Sequence, residues 1–248
     1  MIIETDAVVI RETATGERDK LLTLLTREEG IIKAFANGAR SLKSKNANTT
    51  NLFCYSKMSL LKSKSGDSYT VRESTPVEVF FPLRKDIVKL SLAQYIGELS
   101  DELAPRGEKA DDFLNLVLNC LHLLANTDKN IYLIKAAAEL RMLTLAGYMP
   151  SVIACDNCGT YESEKMYFST FTGKLYCENC KPEERTVTVG LGVVTAMRHI
   201  CFSSPEKVFS FSLSKDGFSA LGAVSEKYLK SVTMRSYKTL EFFKNMTE

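Results

Sequence analysis

The sequence contains few of the residues and motifs on which enzymatic catalysis depends. Its two histidines, His122 and His199, stand near neither a serine nucleophile motif nor a second metal ligand. A hydrolase triad or a histidine general base therefore has little to build on. A P-loop for triphosphates is absent, and Gly190-Leu-Gly192 lacks the third glycine of a dinucleotide-binding loop. We therefore expect a protein that is not an enzyme.

Long apolar runs and an export signal are also missing. No stretch approaches the roughly 18 uninterrupted apolar residues that a membrane-spanning helix needs. The first residues include Glu4 and Asp6 in place of the basic start and apolar run of a signal peptide. We expect a cytoplasmic protein.

The composition is that of an ordinary globular protein. The chain has 248 residues, of which 45% are apolar and 25% are charged, and this is enough to bury one large core or several smaller ones. The net charge of +2 does not indicate a nucleic-acid-binding protein. Any electrostatic binding surface must therefore be local.

Four of the seven cysteines form a motif. Cys155-Asp-Asn-Cys158 and Cys177-Glu-Asn-Cys180 are two CxxC pairs, and the gap of residues 159–176 falls within the roughly 15 to 20 residues of a zinc ribbon. A reducing compartment disfavours disulfides, and a redox pair would need only one CxxC. Four thiolates fill the tetrahedral shell of Zn²⁺ and leave no position for a reactive water. We predict one structural zinc ion.

The other three cysteines, Cys54, Cys120 and Cys201, stand singly in apolar surroundings. An isolated cysteine behaves as a small apolar residue. We predict that all three lie in the core.

The first third of the chain reads as strands and the remainder as helices. From Thr5 to about Phe81, short β-rich runs are separated by glycines, which predicts a small antiparallel barrel or sandwich. After Pro82, apolar residues recur every three or four positions, which indicates helices.

The predicted helices divide around the cysteine segment. Further helices are expected at 111–124, opened by a capping carboxylate, and at 130–146, closed by Gly147. Helical spacing resumes at 190–202 and runs again over 216–243. The chain is therefore predicted to be an α+β protein in which the cysteine module interrupts a helical domain.

A basic stretch lies in the predicted barrel. No acidic residue occurs between Gly30 and Gly66, whereas the stretch contains Lys33, Arg40, Lys43, Lys45, Lys57, Lys62 and Lys64. Phe35, Phe53, Tyr55 and Tyr69 interleave with these cations, and aromatic rings beside cations suit single-stranded nucleic acid. A solvated surface, an anionic peptide or a membrane surface would fit the same charges.

Several segments resemble one family. They are Thr5-Asp-Ala-Val-Val-Ile-Arg11, the run from Gly16 to Thr26, Gly38-Ala-Arg40, and Glu139-Leu-Arg-Met-Leu-Thr-Leu-Ala-Gly-Tyr-Met-Pro150 leading into the first CxxC pair. Tyr167-Phe-Ser, Gly173 to Cys177 and Tyr228 to Leu240 are also similar. Over nearly its whole length the chain resembles the RecO family of bacterial DNA repair and recombination mediator proteins.

The resemblance implies an architecture. We expect an OB-fold (oligonucleotide-binding) barrel over 1–81, a helical domain over 82–150 and 186–248, and a zinc-ribbon-like insertion over 151–185.

The resemblance also implies partners and contacts. Family members bind single- and double-stranded DNA, anneal strands coated by single-stranded DNA-binding protein (SSB), whose acidic C-terminal tail they bind, and act with RecR to load RecA. They do so in the cytoplasm, associated with the nucleoid during repair. The DNA contacts implied by position are Arg11, Lys20, Lys33, Arg40, Lys43 and Lys45, with Lys57, Lys62 and Lys64 as further candidates.

Two other hypotheses remain at this point. The first is a zinc-ribbon adaptor that binds only protein, with the basic barrel as a docking surface for an acidic partner. The second, an enzyme that acts on nucleic acid, is disfavoured because acid-base and metal-catalytic clusters are missing from the sequence.

Overall fold

The computed structural model describes residues 1–41, 44–64, 68–183 and 185–247. An N-terminal group of five strands is followed by helices with a small sheet between them. The strands are β1 (Ile2–Thr15), β2 (Asp19–Thr26), β3 (Gly30–Ala36), β4 (Cys54–Lys62), β5 (Tyr69–Val79), β6 (Lys165–Ser169), β7 (Lys174–Cys177) and β8 (Val187–Gly190). The helices are α1 (Ile87–Leu103), α2 (Asp111–Asn126), α3 (Ile131–Leu145), α4 (Leu191–Phe202), α5 (Lys215–Thr233) and α6 (Lys238–Thr247). The predicted α+β class is confirmed.

The first five strands form a closed barrel with the order β1-β2-β3-β5-β4. All pairs are antiparallel except β3 with β5. This five-stranded closure is that of an oligonucleotide-binding barrel. Side chains alternate along β3, so that Ala34 and Ala36 face the apolar interior while Lys33 and Phe35 face outward. The predicted barrel is therefore confirmed.

One glycine of the barrel is required by a close backbone approach. Gly30 has φ +61° after the β2–β3 turn, and a Cβ there would lie 2.1 Å from the carbonyl oxygen of Pro105. Any other side chain would collide with the segment that joins α1 to α2. Gly30, which separates two apolar runs in the sequence, therefore also allows the backbone at Pro105 to pack closely against the barrel.

Helices α1, α2 and α6 pack together beside the barrel. Asp86 caps α1 by accepting hydrogen bonds from the backbone N–H groups of Val88 and Lys89. Rings of Tyr95 and Tyr237 meet edge to face at 5.8 Å between α1 and the start of α6. These contacts place the last helix of the chain against the first.

The capping role expected for the carboxylate at the start of α2 is wrong. The N-cap position is Ala110, whose side chain makes no capping bond. Asp111 instead accepts a 2.6 Å hydrogen bond from Nη1 of Arg27, whose Nε also donates to Asp6. The carboxylate joins α2 to the barrel, because a nearby guanidinium is a stronger partner than a backbone N–H.

The long helix expected over 216–243 is two helices. Met234 adopts the left-handed conformation with φ 53° and ends α5, and α6 begins at Lys238. Apolar spacing continues across the break, so periodicity alone does not reveal it.

Helices α3, α4 and α5 form a second bundle with a buried ionic core. Nζ of Lys135 lies 2.8 Å from Oε1 of Glu139 and 3.3 Å from Oε2 of Glu226. Ser225 donates to the other carboxylate oxygen of Glu139. These groups join α3 to α5 in the interior.

The small sheet has the order β7-β6-β8 and lies in the chain between α3 and α4, as the predicted insertion requires. Tyr228 of α5 anchors it. Its ring contacts Phe168 at 5.5 Å, its hydroxyl donates to the carbonyl of Tyr148, and a Cβ on Gly173 would lie 2.8 Å from that hydroxyl. Burial raises the pKa of Tyr228 to about 12, so the hydroxyl stays a donor.

The chain divides into two compact units, Met1–Asp128 with Tyr237–Glu248, and Lys129–Ser236. The expected division into domains at residues 81, 150 and 186 stays a prediction. Among the helices of the described ranges, none has the length and apolarity that a membrane crossing needs.

Candidate metal centre and nucleic-acid interface

The four cysteines of the two CxxC pairs meet at one point. Their Sγ atoms all lie within 4.8 Å of one another, and those of Cys158 and Cys177 are 3.6 Å apart. Cys155 and Cys177 are buried, whereas Cys158 is exposed and Cys180 is half-buried. One side of the cluster therefore faces the small sheet and the other faces solvent.

Two local turns present the thiols. In the first, the N–H of Gly159 donates to the carbonyl of Cys155, and Gly159 has φ +70°, which a glycine adopts without strain. In the second, Cys177 ends β7 and a short 3₁₀ turn leads to Cys180. The N–H of Asp156 donates to Leu175 on β7, which fixes one turn against the other.

Hydrogen bonds within the cluster favour thiolates at one edge. The side chain and then the backbone of Thr160 lower the pKa of Cys158 to about 6. Burial raises the pKa of Cys155, but backbone hydrogen bonds, that of Cys177 foremost, outweigh it, so the net pKa lies below its usual value. The neighbouring sulfur of Cys158 raises the pKa of Cys180 to about 12. The lowered pKa values of Cys155 and Cys158 favour the deprotonated sulfurs that bind a metal cation.

The donor set and its spacing fit a metal ion. Tetrahedral zinc with Zn–S bonds of about 2.3 Å places its sulfurs about 3.8 Å apart. The observed separations bracket that value. The four cysteines can therefore hold a metal ion.

The remaining cysteines lie elsewhere. Cys54, Cys120 and Cys201 are buried, as predicted, and burial raises the pKa of each thiol. They stay protonated and serve as apolar core residues.

Four of the predicted DNA-contact residues are exposed cations. In the described part of the chain, no carboxylate lies within ion-pair distance of them. They are Lys33 on β3, Lys57 on β4, Lys45 in the β3–β4 connection and Lys64 in the β4–β5 connection. An unneutralised cation at the surface can pair with a phosphate at little cost.

Three further predicted residues are bound to the protein but remain accessible. Arg11 lies 3.6 Å from Asp101, which Arg106 also binds. Nη1 of Arg40 donates to the carbonyl of Gly16. Lys62 is half-buried between Glu29 and the ring of Tyr69.

Lys20 differs from the other predicted contacts. Its register partner on β3 is Ala36, which faces the interior, and its side chain is only 14% exposed. The ammonium donates to Glu12, Asn51 and the carbonyl of Thr50, so its three hydrogens already have acceptors within the protein. The remaining predicted contact, Lys43, lies outside the described residues.

The sequence reasoning missed Arg18. This exposed residue lies in the β1–β2 turn, and its carbonyl accepts a hydrogen bond from the backbone N–H of Arg40. Asp19 holds the same junction by accepting from the N–H of Gly38. The β1–β2 turn thus brings another cation beside Arg40. Glu17 and Asp19 flank Arg18, so no local excess of basic residues indicates it in the sequence.

Comparison with known proteins identifies the family. The profile described as "Recombination protein O N terminal" matches residues 1–80, and the one described as "Recombination protein O C terminal" matches residues 84–241. The chain belongs to the RecO family. The resemblance found in the sequence is therefore confirmed.

Curated RecO proteins are similar along most of their length. The DNA repair protein RecO of Acetivibrio thermocellus is 33% identical over 245 residues, which cover 98% of this chain and 97% of that protein. The one from Symbiobacterium thermophilum is 30% identical over 245 residues, with 97% and 96% covered. The one from Pelotomaculum thermopropionicum is 34% identical over 179 residues, with 72% and 68% covered.

The two RecO profiles separate the two candidate sites. All the predicted DNA contacts lie within the N-terminal match, and the four clustered cysteines lie within the C-terminal match. This member of the RecO family is a DNA repair protein, with a basic barrel and a cysteine cluster that can hold a metal.

Proposed function

We propose that this chain binds single- and double-stranded DNA, promotes strand annealing and helps to load a recombinase on SSB-coated DNA. The outer face of β3 carries the proposal. Lys33 and Phe35 stand there two residues apart, both exposed, with no described carboxylate in ion-pair distance of Lys33. A cation beside an aromatic ring suits single-stranded nucleic acid. The β2–β3 face and the β1–β2 and β4–β5 loops are where such barrels bind oligonucleotides.

The proposed phosphate contacts follow from accessibility. Lys33, Lys45, Lys57 and Lys64 supply exposed cations that pair with no described carboxylate, and Arg18 supplies a further exposed cation. Arg11, Arg40 and Lys62 can exchange a protein partner for a phosphate. Lys43 belongs to the same basic stretch by sequence. Lys20 contributes least, because binding DNA would cost it three existing hydrogen bonds.

The proposed mechanism is charge screening without a chemical step. Two DNA strands repel each other through their phosphates, and bound lysines and arginines reduce that repulsion. Bases that are held on the barrel but not buried remain free to pair. The protein acts as a mediator and not as an enzyme.

Zinc is the proposed metal, with one structural ion held by Cys155, Cys158, Cys177 and Cys180. Bound zinc would cross-link the 155–158 turn to the end of β7 and complete a closed four-thiolate shell. The soft sulfur donors and their spacing support this choice. The module would then orient the surface around it, while the proposed DNA contacts remain on the barrel.

The proposed partners are RecR, the acidic C-terminal tail of SSB and, functionally, RecA, in the cytoplasm at the nucleoid. A groove of about 450 Å³ within residues 129–236 suits the tail. Exposed Ile153 and Phe202 line it beside Arg198, which is 9% exposed and has no described carboxylate partner. The buried hydroxyl of Ser203 also lines it and has no hydrogen-bond partner among the described residues. Arg198 already donates to the carbonyls of Val152 and Tyr161, so a carboxylate would accept from its remaining N–H groups and from Ser203, while an apolar side chain would contact Ile153 and Phe202.

An annealing assay tests the proposed function. Two complementary labelled single strands are mixed with and without SSB, and the rate of duplex formation is followed as protein is added. Acceleration in both arms is expected. No acceleration, together with binding to SSB or RecR, would favour the adaptor that binds only protein. Incubation of labelled DNA with divalent metal checks the enzymatic alternative, and cleavage would contradict the proposal.

A further inference from the structure

Among the four aromatic residues that interleave with the basic stretch or follow it, one lies on the barrel surface near Lys33, which pairs with no described carboxylate. Phe53 and Tyr69 are 3% and 4% exposed and belong to the interior, and Tyr55 is half-buried. Phe35 is 37% exposed on the outer face of β3. Of these four aromatics, only Phe35 can therefore offer much of its ring to a ligand.

Phe35 belongs to a continuous row across the barrel. It pairs with Leu21 of β2 on one side and with Thr70 of β5 on the other. Leu21 pairs in turn with Thr13 of β1, and Thr70 with Leu61 of β4. Paired residues share a face and adjacent strands lie about 4.8 Å apart, so the row is a continuous strip of apolar and threonine side chains in which Leu21 lies beside Phe35.

The row next to it, toward the β2–β3 turn, carries positive charge. Lys33 pairs with Thr23, and Thr23 pairs with Arg11. Two residues along a strand span about 6.7 Å, so Lys33 lies within reach of a phosphate whose base contacts Phe35. The β2–β3 part of the strip thus combines an apolar ring with cations.

The β4 end of the strip has mixed charge. Ser59, two residues before Leu61 on β4, pairs with both Glu4 and Glu73, and the two glutamates are exposed. Carboxylates repel phosphates, whereas the exposed Lys57, two residues before Ser59, attracts them. The glutamates therefore disfavour phosphate binding beside Ser59, but they do not exclude DNA from the lysines of β4.

We infer that Phe35 is a base-stacking residue that makes the barrel favour single-stranded over double-stranded DNA. The inference rests on the proposed function and adds a substrate preference to it. Duplex bases are already stacked on each other and present only their edges, so a duplex contacts the Lys33 row through phosphates alone. An unpaired base can also stack on Phe35, which contributes about a tenfold gain in affinity.

The first test compares two single substitutions. Phe35→Leu keeps an apolar side chain but removes the stacking plane, and Lys33→Ala removes a phosphate contact. We expect Phe35→Leu to weaken binding of a single-stranded oligonucleotide about tenfold and of a matched hairpin duplex less than twofold. Lys33→Ala should weaken both. Equal effects of Phe35→Leu on the two substrates, or no effect on either, would overturn the inference.

The second test observes the stack directly. The chain contains no tryptophan, so Phe35→Trp introduces a single indole at this position. Its fluorescence should be quenched by single-stranded DNA and little changed by the hairpin, whereas Phe171→Trp at the exposed β6–β7 turn should respond to neither. Equal quenching by the two substrates would contradict stacking.

The two proposals fail in different ways. If the unmodified protein binds neither substrate, the proposed function itself fails. If it binds both and the Phe35 variants behave like the unmodified protein, only the stacking inference is lost.

Discussion

Replacing Glu139 by alanine should destabilise the 129–236 unit strongly. Glu139 is fully buried, and its carboxylate accepts from Nζ of Lys135 at 2.8 Å and from Ser225. Removing one member of a buried ion pair typically costs about 3–5 kcal/mol, because the other charge remains out of water.

The expected loss lies at the lower end of that range, about 3 kcal/mol. Lys135 is 4% exposed, but it retains Glu226 at 3.3 Å. That carboxylate also binds Lys230, so it compensates only in part. Ser225 keeps the carbonyl of Gly222 as an acceptor.

The assay is urea denaturation followed by far-UV circular dichroism. Glu164→Ala, at an exposed glutamate of the same unit, is the matched control and should change the unfolding free energy little. The double variant Lys135→Met with Glu139→Leu should recover much of the loss, since it leaves no buried charge unpaired. A loss below about 1 kcal/mol for Glu139→Ala would refute the reasoning, because that is the range of exposed pairs.

Further predictions concern the cysteine cluster, the groove and annealing. Purified protein should contain one zinc ion per chain. Cys177→Ser should lower both the zinc content and the protease resistance around residues 151–185. Metal-free protein that folds unchanged would contradict this prediction. In fluorescence anisotropy, an SSB tail peptide should bind about tenfold more weakly when its C-terminus is amidated. Ser203→Ala should reduce this difference in affinity between the free-acid and the amidated peptide. Annealing should slow steeply as salt rises, and a salt-independent rate would exclude charge screening.

The cysteine site could be predicted almost completely from sequence. Two CxxC pairs at ribbon spacing need only local turns and one hairpin to converge, and β6 and β7 supply that hairpin. What the spacing could not indicate is that Cys155 and Cys177 are buried while Cys158 is exposed. Burial depends on how the hairpin packs, which involves Tyr228, a residue distant in sequence.

The sequence predicts a barrel, but it does not predict which side chains remain available on the barrel surface. Glycine-separated apolar runs indicate strands. The pairing of each cation, in contrast, depends on tertiary contacts. Lys20 is committed to acceptors from β1 and from residues 50–51, which no local pattern reveals. Phe35 and Phe53 look equivalent in sequence, but Phe35 lies on the outer face of β3, whereas Phe53 is buried next to Gly97 of α1.

The break before α6 also escaped prediction for a physical reason. Helix α5 ends at Met234, which adopts the left-handed conformation that glycine usually provides. Because no glycine stands there, the sequence does not indicate the end of the helix. Tyr237, three residues after Met234, contacts the ring of Tyr95 on α1, and no local sequence pattern indicates that contact.

The most direct test of the central claim, that the barrel binds DNA through its unpaired cations, is a salt titration of oligonucleotide affinity. For single strands, each phosphate contact contributes about 0.7 to the slope of log affinity against log salt. Lys33→Ala should reduce the slope by about that amount. Lys165→Ala removes an equivalent exposed charge on β6 and should leave the slope unchanged. Equal slopes for the unmodified protein and Lys33→Ala, or a smaller slope for Lys165→Ala, would contradict DNA binding through the barrel.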